Sequence, residues 1–267
     1  RTRLSGDFSL AVLRDDIQKA INCYHVSDMM GFDPSLGQLP MTPQNHCSHC
    51  SSGNSKTAVK CSNCSAVLKS KVDYGALTDA LVWCYVFADV GVLLQSKRNE
   101  LAYLTGALNL LPLARCYQRI DELGHDFFKL QGYFLTHFVY VMSDWGQHPL
   151  PRHMFLEEIQ FIVENMHQVI RMEEPELVGE FLQCLKIFQI SEQSDPDIWK
   201  VMQYGMLYLI DTERRKGSKG VWANPQATFY DKYHRSYCAI IGLMDYTYSG
   251  RADEPCPQPN LFRLLSR

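Results

Sequence analysis

Four cysteines, spaced as Cys47-x2-Cys50, ten residues, then Cys61-x2-Cys64, constrain this chain more than any other feature. Two residues between thiolates let both point at one metal ion from a tight turn. Two such turns supply the tetrahedral four-sulfur shell that zinc favours, with Zn–S of about 2.3 Å. The stretch Ser51-Ser52-Gly53-Asn54-Ser55 lets the chain return, and Lys60, just before the second pair, eases the gathering of anionic thiolates. Four sulfurs fill the coordination shell, whereas catalytic zinc keeps an open position, so the spacing predicts a structural Zn2+. That ion would order His46 to about Leu68, a segment with no core of its own. His46 and His49 adjoin the first pair and are the residues that could replace a cysteine. The alternative use of the cluster is a pair of disulfides in a secreted protein.

The remaining cysteines, Cys23, Cys84, Cys116, Cys184, Cys238 and Cys256, are scattered, most of them within apolar stretches where a thiol behaves as a small hydrophobe. With 267 residues the chain can bury a large core and does not need a disulfide framework, which places it in a reducing, cytoplasmic setting. A net charge of -3 gives no electrostatic footprint for nucleic acid. No apolar run is long enough to span a bilayer. The most apolar stretch, Ala80 to Leu94, is interrupted by Asp89 and reads as a buried helix.

Apolar residues recur at helical spacing over Gly6 to Tyr24, and a loop rich in turn formers follows from Ser27 to Asn45. From Asp73 onward helix follows helix: Tyr74 to Leu94, Glu100 to Arg115, His125 to Trp145, Met154 to Met172, Pro175 to Ile190, Asp195 to Arg215 and Tyr230 to Tyr248. Gly146 to Pro151, Glu173-Glu174-Pro175 and Ser194-Asp195-Pro196 punctuate the series. No alternating strand pattern competes. The fold class expected is all-α: helical hairpins beside a small four-cysteine zinc module. The expected divisions are an N-terminal helix and loop (1–45), the zinc module (46–70), the helical domain (71–250) and a tail (251–267).

Within the C-terminal helices, Lys216 to Trp222 form a Gly-rich turn with an aromatic residue, and Tyr233-His234, Tyr237-Cys238 and Gly242-Leu243 follow in order. This stretch, from residue 207 to residue 243, resembles a repeat of the α/α-toroid proteins, the terpenoid cyclases and the β-subunits of protein prenyltransferases. The resemblance implies a toroid-like arrangement of helices, with His234 facing a central cavity in the place of a zinc-ligating histidine. The aspartate and cysteine that complete that family's zinc site have no counterpart here, and neither does the cyclases' acidic motif.

Several polar residues interrupt apolar helices. His137 and Asp144 lie seven residues apart and so on one helical face; Asp231 precedes His234 by three. A histidine with a carboxylate in reach can act as a general base whose tautomer the acid fixes. Tyr133, Tyr140, Trp145, Tyr233 and Tyr237 would line an apolar pocket around such a pair. The catalytic candidates are therefore His234, His137, Asp144, Asp231 and Tyr233. Each has a plainer reading: a hydrogen-bonded core histidine, a helix-capping aspartate, a packed aromatic. Glu157, Glu158, Glu173 and Glu174 read as solvated helix faces.

No nucleophile elbow, P-loop, dinucleotide fingerprint or zinc-protease motif occurs. Two readings remain. One is an enzyme acting on a largely apolar small molecule in an aromatic-lined cavity, with His234 and His137 as acid–base or ligand groups. The other is a non-catalytic helical scaffold that binds a protein partner.

Overall fold

A computed structural model describes residues 19, 30–43, 47, 49–50, 52–55, 58–90, 106, 109–215 and 228–245. The helix expected over Gly6 to Tyr24, except Lys19, the basic turn around Lys216 and Trp222, and the tail 251–267 lie outside the described residues. The described chain is mostly helical with little sheet. It divides into two compact units, Arg1–Ala114 and Arg115–Arg267. The division falls later than the expected start of a helical domain at residue 71, so the first long helix belongs with the cysteine module.

In the first unit, β1 (Met41–Pro43) pairs antiparallel with β2 (Ser70–Val72), Met41 opposite Val72. Strands three residues long carry no readable alternation, which is why no sheet was expected. The pair brackets the cysteine module and hands the chain to α1 (Tyr74–Val90). Asp73 ties that junction together. Its carboxylate accepts from Ala76 N at 3.0 Å, capping α1, and from the Thr42 hydroxyl at 2.6 Å, while its own amide donates to Pro40 O. Tyr74, Leu77, Ala80, Leu81 and Cys84 give α1 a buried stripe.

The second unit holds α2 (Ile120–Leu123), α3 (His125–Met142), α4 (Leu156–Arg171), α5 (Pro175–Ile187), α6 (Pro196–Arg215) and α7 (Phe229–Leu243). Helix α5 is central and touches α3, α4, α6 and α7. Its burial follows from its mostly apolar sequence, and Pro175 opens it in the first turn, where the missing amide has no helical partner to lose. A chain of phenylalanine rings fills the space around it: Phe128–Phe161, Phe161–Phe181, Phe138–Phe155 and Phe155–Phe188, at 5.6–6.3 Å spacing typical of packed aromatics.

Two acids expected on solvated faces are buried. Glu158 is fully enclosed and accepts from Arg115 Nε at 2.7 Å, Arg115 Nη2 at 2.8 Å and the Tyr117 hydroxyl at 2.7 Å. Glu174 meets Lys129 Nζ at 2.7 Å. Their partners come from 43 and 45 residues away in sequence, beyond what local spacing can show.

The expected helix His125 to Trp145 ends earlier, at Met142. Asp144, Trp145 and Gly146 then take successive left-handed conformations, φ 54°, 55° and 78°. Backbone bonds from Trp145 N to Tyr140 O and from His148 N to Ser143 O close this turn. Apolar residues continue through the turn, so periodicity alone ran past the true end.

Candidate functional sites

The four cysteines sit on two turns of the same construction. Cys47 N donates to Ser52 O at 3.0 Å, and Cys61 N donates to Ala66 O at 2.8 Å. His49 N lies 3.4 Å from Cys47 Sγ, and Asn63 N lies 3.4 Å from Cys61 Sγ. Each first cysteine of a pair therefore accepts an amide from two residues on. The Asn54 side chain ties the turns together, donating to Ser52 O and accepting from Ser62 N. Leu68, Ala58 and Ala66 pack against the cysteines as a miniature core.

The sulfurs meet in one group. Cys47 Sγ to Cys64 Sγ and Cys50 Sγ to Cys61 Sγ are both 3.5 Å, and all four lie within 4.8 Å of one another. A disulfide requires about 2.05 Å, and all four thiols are free. A tetrahedral zinc–thiolate shell requires sulfur edges of about 3.8 Å, given the Zn–S bond length. The donors therefore fit a metal ion. Four thiolates this close repel one another unless a cation joins them. The Ser52 hydroxyl and amide hold Cys50 down to about 5. The Cys64 amide lowers Cys61. Cys64 has the Ala66 amide in its favour, yet burial and the neighbouring sulfurs push it up to about 12. A dication removes this conflict. Lys60, expected beside the thiolates, is exposed; it bridges to Val67 in the backbone. His49 is exposed and gives only its amide, and His46 lies outside the described residues.

A second constellation lies where α5 meets α7. Glu176 and Glu180 stand one turn apart on α5; His234 and Cys238 stand one turn apart on α7. His234 Nδ1 is 2.8 Å from Glu176 Oε1. A carboxylate can only accept there, so Nδ1 carries a proton and Nε2 is the ring nitrogen left to face the opposite side. Nε2 faces Cys238 Sγ at 3.8 Å, and Cys238 Sγ is 3.6 Å from Glu180 Oε1. The Thr136 hydroxyl donates to Glu180 Oε2 at 2.5 Å. The Glu176 hydrogen bond raises His234 above the ordinary imidazole range. Burial raises Glu180, although His137 and Thr136 pull it down. Burial, with Glu180 beside it, pushes the Cys238 thiol far up.

Two glycines bring these groups together. A Cβ on Gly179 would come 2.2 Å from Cys238 O, and one on Gly242 would come 2.7 Å from Gly179 Cα. Helices α5 and α7 thus touch backbone to backbone, close enough for the short Cys238 side chain to reach Glu180.

Of the expected catalytic residues, His234 lies at the heart of this constellation. His137 is half-buried on α3; its Nδ1 donates to Tyr133 O at 2.8 Å, and its ring meets Trp145 edge-on. Asp144 is buried in the left-handed turn beyond α3, no longer on the helical face of His137. Asp231 closes a capping box with Thr228, its partner in place of His234. Tyr233 is exposed and stacks on Tyr237 at 5.9 Å, while Tyr230, not Tyr233, lies parallel over His234 at 5.3 Å. Glu176, Glu180, Thr136 and Cys238 were not singled out from sequence. The signal available was the i, i+4 spacing of each pair. No known family, curated protein or solved structure matches this chain. Among the described residues, no helix is long and apolar enough to cross a membrane.

Proposed function

We propose that the protein is an enzyme whose helical unit acts on a largely apolar small molecule, with its centre at His234, and that Cys47, Cys50, Cys61 and Cys64 hold a structural zinc ion. The observation that carries this reading is the Glu176–His234 bond at 2.8 Å, which fixes the imidazole with Nε2 directed at Glu180 and Cys238. His137 supports it. Its Nδ1 is likewise committed, to Tyr133 O, and its ring is close enough for its positive charge to favour the Glu180 carboxylate. Two histidines with fixed tautomers serve as acid–base or ligand groups. The Tyr230 ring over His234, with Tyr233 and Tyr237 farther along α7, offers an apolar surface for substrate. Short connections between successive helices support reading the unit as part of an α/α toroid.

The test compares wild-type protein and His234→Ala after incubation with a cellular small-molecule extract, read by mass spectrometry. Helical circular dichroism serves as the check that both are folded. A species consumed by the wild type and spared by the variant is expected; identical extracts would refute the enzyme. The exposed row Phe229, Tyr230, Tyr233, Tyr237 and Ile240 favours a second reading, a scaffold that binds a protein partner. That reading predicts no turnover, and loss of a bound partner when Tyr233 and Tyr237 are both replaced by alanine.

A further inference from the structure

We propose that Glu180, His234 and Cys238 form a second metal site, taking a divalent cation of the zinc class on three protein ligands with a fourth position open. This rests on the reading of His234 as the centre and deepens it by naming a cofactor.

The geometry is the first support. One carboxylate oxygen of Glu180, Nε2 of His234 and Sγ of Cys238 all lie within 4.8 Å of one another. The two contacts to sulfur are 3.6 and 3.8 Å. Donors on a tetrahedral zinc stand roughly 3.6 Å apart, given bonds of about 2.0–2.3 Å. The two edges that meet at sulfur thus already have about the length a tetrahedral ion requires. A thiolate, an imidazole and a carboxylate together suit zinc better than the hard cations that prefer oxygen alone.

The surroundings are the second support. A metal-bound histidine usually donates its other N–H to a carboxylate, and a metal-bound carboxylate is itself hydrogen-bonded. Glu176 holds His234 Nδ1 at 2.8 Å, and Thr136 holds Glu180 Oε2 at 2.5 Å. Both outer contacts leave the inner atoms, Nε2 and Oε1, aimed at Cys238. Glu176 is itself braced by Arg235 Nε at 3.5 Å. The ligands ride on two helices locked backbone to backbone at Gly179 and Gly242, the rigid support a metal site needs.

The third support is charge. Glu180 is almost completely enclosed, and the partner of its Oε1 is a thiol, a weak donor. A buried carboxylate answered so poorly is costly. A dication between Glu180 and a Cys238 thiolate makes the trio neutral and satisfies both. Three ligands with an open position mark a catalytic metal, in contrast to the closed shell of the four cysteines. The His234 side chain, 25% exposed, lies on the way to solvent.

The experiment is a metal count that needs no variant. Full-length protein, stripped of metal under reducing conditions and dialysed with Zn2+ or Co2+, is read by elemental mass spectrometry. A second equivalent, beyond the one held by the four cysteines, is expected; a single equivalent overturns the proposal. His234→Ala and Glu180→Gln should each lose that second equivalent and keep the intense sulfur-to-cobalt absorption of the four-cysteine site. Retention of the second equivalent in both variants overturns the proposal as well, since the ion is then held elsewhere. Glu176→Gln, which changes only the positioning of His234, should weaken the second site by about 10–100-fold without moving the first. The two ideas fail separately. One equivalent with His234-dependent turnover removes the cation and keeps the centre; two equivalents without turnover keep the cation and remove the enzyme.

Discussion

Replacing Gly179 by alanine tests whether the approach of α5 to α7 builds the helical site. The added methyl would sit 2.2 Å from Cys238 O, 2.6 Å from Cys238 C and 2.9 Å from Ala239 N. Against an ordinary contact of 3.4 Å, the shortfall is about 1.2 Å. The obstructing atoms are backbone, and Cys238 and Ala239 are both buried, so no side chain can swing aside. Alanine brings back about 1 kcal/mol of helix propensity over glycine. Overpacking a filled interior costs about 1–3 kcal/mol, with backbone overlap at the upper end. The net expectation is a loss of about 2 kcal/mol, which lowers a urea midpoint by about 1 M for a typical slope.

The function-related readout follows from the same displacement. If α7 retreats by about 1.2 Å, the 2.8 Å bond between His234 and Glu176 opens to roughly 4 Å, beyond hydrogen-bonding range. The bonded Nδ1–H resonance of His234 in proton NMR should therefore vanish. Gly205→Ala in α6 is the control. Its methyl would meet Met166 Sδ at 3.2 Å and Leu182 Cδ2 at 3.3 Å, both at the ends of flexible side chains, with the same propensity gain. It should unfold within about 0.5 kcal/mol of the wild type, or later. A Gly179→Ala protein that unfolds at or above the wild-type midpoint and keeps the His234 resonance would refute the reasoning.

Glu158→Ala leaves the half-buried Arg115 without its bidentate partner and should cost about 2–3 kcal/mol in urea unfolding, whereas Glu157→Ala on the exposed face should change little; equal effects would contradict the burial of Glu158. Thr228→Ala removes the side-chain oxygen that accepts Asp231 N at the start of α7 and should lower stability by about 1 kcal/mol, an unchanged midpoint arguing against the capping box. Cys61→Ser should remove one zinc equivalent while leaving most helical circular dichroism in place, since the cysteines and the helical unit fall in separate compact units. Loss of most helical signal with that zinc would show that the module is needed for far more than its own loop.

How much of this was legible in the sequence depended on how local the determining contacts are. The cysteine site was readable because its four ligands come from two short turns, and spacing alone dictates which atoms can converge. Its supporting bonds were less so: Asn54 was read only as part of a flexible return, yet its side chain joins the two turns. Helices α1 and α3–α7 were readable from their apolar period. Their ends were not always, since the left-handed Asp144-Trp145-Gly146 turn follows an apolar run without a proline to stop it. That turn carries Asp144 beyond the helix it was expected to share with His137.

The helical site shows a different limit. The carboxylate nearest His234 in its own helix is Asp231, which the N-terminus of α7 already employs with Thr228. The acid that reaches His234 comes from α5, 58 residues earlier. Pro175 to Leu185 reads as an apolar core helix interrupted by Glu176 and Glu180, and a buried helix does not carry two acids on one face without partners. Gly179 between them is the companion signal: a glycine inside a helix costs stability unless another backbone must come close. Cys238, four residues after His234, and Gly242, four residues after that, form the complementary face. An acid–glycine–acid face on one helix and a histidine–cysteine–glycine face on another therefore specify both the crossing and what the crossing holds. The metal count and the Gly179→Ala protein interrogate the two halves of that statement independently.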